Sequence, residues 1–269
     1  MEPFALGALV GLLLALTGAG GGILAVPLLV FALHLDVAEA APIGLLAVGL
    51  AAASSAVLGL RDGIVRYRAA MLMGGLAMGL APLGVAAAQR VSNPPLTLAF
   101  AAVLLLSAWR MWQRARHAIA QRTAARAPLP CVLDARDGRL VWTRPCAQAL
   151  TLTGVAAGLL SGLLGVGGGF VIVPALTRFT ELSARSVVAT SLAVIALASI
   201  GGVGAAAWRG TIAWDIALPF AIGSVAASLL ARVIADRVAG PRLQQGFAVL
   251  SAGVAVLMLL RVLGLVSMR

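Results

Sequence analysis

Residues Gly158 to Pro174 read GLLSGLLGVGGGFVIVP, and Gly11 to Pro27 read GLLLALTGAGGGILAVP. The two stretches lie 147 positions apart, and that offset runs without a gap from Gly11/Gly158 to Val91/Val238, with 21 identities in 81 positions. Alanine and leucine account for some of these by composition. Gly18/Gly165, Gly20 to Gly22 with Gly167 to Gly169, Pro27/Pro174 and Gly63/Gly210 do not reduce to composition. Each half therefore carries an apolar segment interrupted by glycine. Glycine costs about 1 kcal/mol relative to alanine inside a helix, so a run of three breaks one. Paired broken helices in corresponding halves of a membrane protein point to a transport site.

The rest of the chain places these segments in a bilayer. The composition is 61% hydrophobic and 11% charged, with a mean hydropathy of +1.04. Soluble domains carry about a quarter charged residues. Five apolar segments are read in each half: 3–17, 22–34, 41–60, 69–88 and 95–113, then 149–165, 169–180, 187–207, 216–235 and 243–263. The last three of each set reach the roughly 20 residues needed to span a membrane. The first two of each set are short, and are expected to form a re-entrant pair of half-helices with the glycine tip at membrane depth. Backbone exposed at that depth survives only inside protein or beside a wet cavity. Pro27 and Pro174 are expected near the start of the second half-helix, where a missing N–H matters least.

All 20 basic residues are arginine, and the net charge is +11. Their place at segment ends fits topology by the positive-inside rule rather than nucleic-acid binding. Without lysine, neither a phosphate-loop lysine nor a Schiff-base lysine exists. If each broken pair returns to its starting side, the halves are inverted and 16 arginines face the cytoplasm against four outside. If each pair crosses once, the halves are parallel and the split is 14 to six. The expected organisation is a first transmembrane repeat over 1–114, a cytoplasmic linker over 115–148 and a second repeat over 149–269. Val132 to Trp142 reads VLDARDGRLVW, a β-hairpin signal around Asp137-Gly138. Cys131 and Cys146 match no zinc spacing and are read as free or structural thiols in a reducing compartment. The fold class is thus all-α and polytopic, with two fused, inverted repeats and a small β-hairpin in the linker.

The glycine runs have a packing reading, close helix approach, and a site reading. In the latter, consecutive glycine N–H groups and a half-helix N-terminus cradle an anion. Their recurrence favours the site. Thr190 and Ser191, whose counterparts are Ile43 and Gly44, either bond backbone carbonyls or add donors to that site. The expected substrate-binding set is Gly20, Gly21, Gly22, Pro27, Gly167, Gly168, Gly169, Pro174, Thr190 and Ser191. Acidic residues fall near segment ends, which argues against a buried carboxylate as proton relay. No nucleophile–base pair and no metal-ligand spacing appears, so neither catalysis nor a cofactor is expected.

Two GxGGG blocks ending in Val-Pro, Ala-Thr-Ser-Leu at Ala189 to Leu192, Arg209-Gly210, and Asp137 to Thr143 together resemble the sulfite exporter TauE/SafE family. The resemblance covers nearly the whole chain, and GLLGVGGGFVIVPAL at 162–176 is its most specific part. It implies a multi-pass bacterial inner-membrane carrier that exports small sulfur-containing anions: sulfite, organosulfonates or thiosulfate. The partners it implies are that anion and the lipid bilayer, with no nucleic acid and with a homo-oligomer left open. A passive anion channel and a membrane scaffold are the rival readings.

Overall fold

In a computed structural model of the chain, residues 2–119, 130–132, 140–238 and 241–262 are described. They form helices α1 (Glu2–Thr17), α2 (Ala25–Ala32), α3 (Val37–Arg61), α4 (Tyr67–Ala88), α5 (Asn93–Ile119), α6 (Arg144–Leu164), α7 (Gly169–Phe179), α8 (Ala184–Trp208), α9 (Trp214–Val238) and α10 (Pro241–Val262). A 3₁₀ segment, Gly18–Leu24, joins α1 to α2. Among the described residues, seven helices are long and apolar enough to cross a membrane: α3 to α6 and α8 to α10. Among the described residues there is no strand.

Helix boundaries recur at the sequence offset. α3 and α8 are each 25 residues long and start 147 positions apart, at Val37 and Ala184. Both start after an N-capping side chain, Asp36 in a capping box with Glu39, and Ser183 accepting from the Ser186 amide. Both end in a left-handed glycine, Gly63 (φ 68°) and Gly210 (φ 67°). The amides of Ile64 and Thr211 then close the turn on the carbonyls of Gly59 and Ala206, five residues back.

Small residues set the helix packing. A Cβ on Gly7 or Gly11 would lie 1.9 and 2.0 Å from the carbonyl oxygens of Phe220 and Ser224, so α1 and α9 touch backbone to backbone. At the same offset, Gly154 and Gly158 of α6 meet Met73 and Ala77 of α4. Both contacts advance four residues for four, so each pair runs parallel. Lipid tails are as apolar as leucine, and close approach supplies the attraction that burial supplies in water.

α3 and α8 form the centre and run antiparallel: Gly49 meets Ser199, Gly59 meets Ala189, and Gly202 meets Leu45. They are the most buried spans, whereas α5 and α10 are the least. The start of α6 and the end of α7 share a face. Cys131 is disulfide-bonded to Cys146 near the start of α6, and its amide donates to Phe179 O at the end of α7 (3.0 Å). Gly168, just before α7, packs against Ala157. Ala157 and Cys146 are 11 residues apart, the length of α7, so α7 retraces half of α6. The face bearing the disulfide also holds the α3–α4 turn, since Ser186 Oγ donates to Ile64 O. The opposite face holds the α8–α9 turn and the end of α4, joined by Arg209 to Gln89 (3.1 Å).

Three expectations need correction, and a fourth lies largely outside the described residues. α6 begins at Arg144 and is 21 residues long, so the first member of the second pair is long enough to span. Pro145 starts it within the charged stretch that reads as linker, and α5 likewise extends to Ile119, past residue 114. Of the expected β-hairpin, the described residues show two bonds between its arms, Val141 N to Val132 O (2.9 Å) and Thr143 Oγ1 to Pro130 O (3.0 Å), while Asp137-Gly138 lies outside them. Cys131 and Cys146 are a buried disulfide, not free thiols. Pro174 is the sixth of the 11 residues of α7 rather than near its start, which leaves Phe170 O without its usual helical donor. Pro27, the third residue of α2, is in its first turn.

Candidate functional site

The glycine runs meet at the centre of the fold. A Cβ on Gly22 would approach a Val48 methyl to 2.8 Å, and one on Gly167 would approach the same methyl to 3.4 Å and Ile195 Cγ2 to 2.7 Å. Val48 is the twelfth of the 25 residues of α3, and Ile195 the twelfth of the 25 of α8. Both tips therefore sit at the midpoint of the two central spans.

The tips differ in backbone. In the second half, Gly165, Gly167 and Gly168 all take left-handed φ near +70°, so the chain turns as an open loop. Gly168 caps α7 without any side chain, and the Gly169 and Phe170 amides point toward the tip with the positive end of the helix dipole behind them, while those of Val171 and Ile172 donate to Gly168 O (3.0 and 3.2 Å). In the first half the 3₁₀ segment spends its amides on its own carbonyls, and neither Gly21 nor Gly22 has positive φ. Among the glycines described, left-handed φ together with a following helix N-terminus occurs at the second tip.

Close packing also constrains these glycines. A Cβ on Gly21 would lie 2.3 Å from the Leu13 backbone, and one on Gly168 would lie 2.8 Å from Ala157 O. A valine at Gly168 thus damages packing as well as any cradle. That substitution cannot separate the two readings.

The hydroxyls divide similarly. Thr190 is fully buried and its Oγ1 accepts the Arg66 amide (3.0 Å), which fixes the α3–α4 turn to α8. Ser191, also fully buried, donates to Val188 O (2.8 Å), the backbone bond of the packing reading. Ser191, Ile195 and Ser199 follow at four-residue spacing, so the two serines share the face of α8 that meets Gly167. Pro27 and Pro174 lie within their helices, away from the tips.

Sequence reasoning passed over five groups. Among the described residues, Ser161 Oγ, Ser199 Oγ, Ser224 Oγ and Ser251 Oγ are buried without a hydrogen-bond partner, and so is Arg66 Nε. Ser161 lies in the last turn before the tip, where the Gly165 amide bonds its carbonyl (2.8 Å). Its signal was available: its counterpart is Leu14, so a hydroxyl occurs in the second half alone. Ser199 replaces Ala52 in the same way. Arg66 entered the reading only as a topological charge.

The family model for Sulfite exporter TauE/SafE matches residues 4–258. A "Probable membrane transporter protein" of Xylella fastidiosa (strain Temecula1) is 26% identical over 264 residues, 95% of this chain and 93% of that protein. One of the same name from strain 9a5c is 29% identical over 265 residues, again 95% and 93% of the two chains. A third, from Methanocaldococcus jannaschii, is 46% identical over 56 residues, 21% of each. No solved structure matches the chain.

Proposed function

Because the chain belongs to the sulfite exporter TauE/SafE family, whose matched relatives are named membrane transporters, we propose that it is a secondary exporter of small sulfur-containing oxyanions. Sulfite, organosulfonates and thiosulfate are the class. The observation that carries this reading is the meeting of both glycine tips at Val48, the second as an open loop of left-handed glycines ahead of a helix N-terminus.

In this reading the two halves are inverted repeats, and α6 with α7 is a re-entrant pair. The antiparallel course of α3 and α8 supports the inversion, as does the return of α7 to the face where α6 starts. The same arrangement assigns the arginines. Arg61, Arg66, Arg68, Arg144, Arg178 and Arg185 belong to the disulfide-bearing face, and Arg90, Arg209 and Arg261 to the other. By the positive-inside rule the first face is cytoplasmic, in a bacterial inner membrane. A disulfide there is unusual. The arginine imbalance outweighs it, because buried sulfurs are out of reach of attacking thiolates.

The anion is held by the amides around Gly167 to Gly169, with the Ser161 and Ser199 hydroxyls as side-chain donors and Ser191 one turn away. Charge-assisted bonds of this kind need no lysine in the bilayer. Arg66, beside Thr190 on the cytoplasmic face, offers the charged first stop. Inverted halves that rock about the central tips expose the site to each side in turn. Thermal unfolding of purified protein over an anion panel tests the reading. Ligand that binds only the folded state raises stability, so sulfite or a sulfonate raises the unfolding temperature where chloride does not. Equal curves for every anion would remove the site.

A further inference from the structure

A cavity lies away from the glycine tips, on the face opposite the disulfide. It has a volume of about 220 Å³ and is formed where the end of α2, the starts of α3 and α5 and the end of α10 converge. Val30, Phe31, Pro94 and Met258 give it apolar walls, and Arg261 supplies its cation.

The polar groups around it are nearly all spent. Asn93 accepts the Val37 amide (3.3 Å) and donates to Asp36, which also caps α3. Thr97 donates to Asn93 O (2.8 Å). Arg261 donates one N–H to Val30 O (3.3 Å), neutralising the negative end of α2. The rest of its guanidinium fork makes no bond within the described residues, and no carboxylate there pairs with it. A guanidinium presents five N–H donors in a geometry that matches an oxyanion. α5 and α10 are the least buried spans, so this cavity opens near the lipid.

We infer that this cavity is a binding site for a tetrahedral oxyanion carrying an apolar chain, with Arg261 on the oxyanion and the Phe31–Met258 walls on the chain. Two sources share that chemistry: an anionic lipid of the surrounding leaflet and a soluble alkyl sulfonate. The site is separate from the central one, so it stands or falls without the transport reading.

The experiment compares wild type with Arg261→Gln, which keeps a donor for Val30 O, and with Leu35→Trp, which narrows the mouth from a half-buried loop position. One arm measures ethane- to hexanesulfonate binding to protein in zwitterionic-lipid nanodiscs. For a soluble ligand, affinity rises about fourfold per methylene and falls at least tenfold in both variants. The other arm measures phosphatidylglycerol retained by native mass spectrometry from mixed-lipid discs. For a lipid site, wild type retains it and both variants lose it. Either pattern supports the inference and names the source. If neither ligand is bound, or if both variants bind as wild type does, the inference is wrong. A chain-length-independent affinity equal to that for chloride also overturns it. Both arms read binding without flux, so a protein that fails to transport still tests the cavity.

Discussion

Gly167→Ala isolates how the second tip is held. The new Cβ meets two separable penalties. The φ of +71° at Gly167 is left-handed, which costs a residue with a side chain about 1–2 kcal/mol. The added methyl would lie 2.7 Å from Ile195 Cγ2, and overpacking of that kind costs about 1–3 kcal/mol. The single variant should therefore lose about 2–5 kcal/mol. Ile195→Ala alone leaves a cavity and costs about 2–5 kcal/mol, yet it removes the methyl that the new Cβ would strike. In the double variant the steric part disappears and the φ part remains. The coupling energy is then about 1–3 kcal/mol in favour of the pair. Gly75→Ala serves as control, since it lies inside α4 with nothing within 4 Å of a Cβ there, and should be about 1 kcal/mol more stable than wild type from helix propensity alone. Denaturant unfolding in detergent measures all four variants against wild type. Additivity of the two changes, or a neutral Gly167→Ala, would refute the contact between tip and α8.

Ser199→Ala removes a hydroxyl with no partner among the described residues, so stability should hold while sulfite affinity falls by about tenfold or more, as for a bond to a charged group. Unchanged affinity by calorimetry would take Ser199 out of the site. Thr190→Val deprives the Arg66 amide of its acceptor and should cost about 1–3 kcal/mol of stability, read by unfolding without ligand; no loss would mean the bond is not made. Cys131 and Cys146 should resist maleimide in denatured, unreduced protein and react after reduction. Opening that 15-residue separation by Cys131→Ser should cost about 3 kcal/mol, and labelling before reduction would show free thiols instead. Reporter fusions should place both termini on the periplasmic side and residue 125 in the cytoplasm, and termini found in the cytoplasm would reject the inverted arrangement.

Much of the architecture was legible because hydropathy and an internal repeat report it directly. The third and eighth helices stand out as long apolar runs, and Gly63/Gly210 mark their ends through the same left-handed turn. The start of α6 was hidden because Arg144 and Pro145 look like linker, although proline opens a helix readily. The disulfide was hidden because pairing depends on the distance between Cys131 and Cys146 across the end of α7, and spacing in sequence does not give it. At the tips, near-identical glycine runs take different backbones: Gly18–Leu24 winds on as 3₁₀ helix, whereas Gly165 to Gly168 opens into a loop. No residue type distinguishes those outcomes, since glycine permits both. Ser161 and Ser199 were recoverable, because each is a hydroxyl on one side of a pair whose other member is apolar.

Concentrative flux tests the transport reading most directly. Purified protein in liposomes, loaded or exposed to labelled sulfite under an imposed ion or proton gradient, reports whether the anion moves uphill. Accumulation beyond equilibrium is expected, sensitive to Ser199→Ala and to competing sulfonates. Equilibration without accumulation under every gradient would make the protein a channel, and no movement of sulfite, sulfonate or thiosulfate would contradict the proposed function.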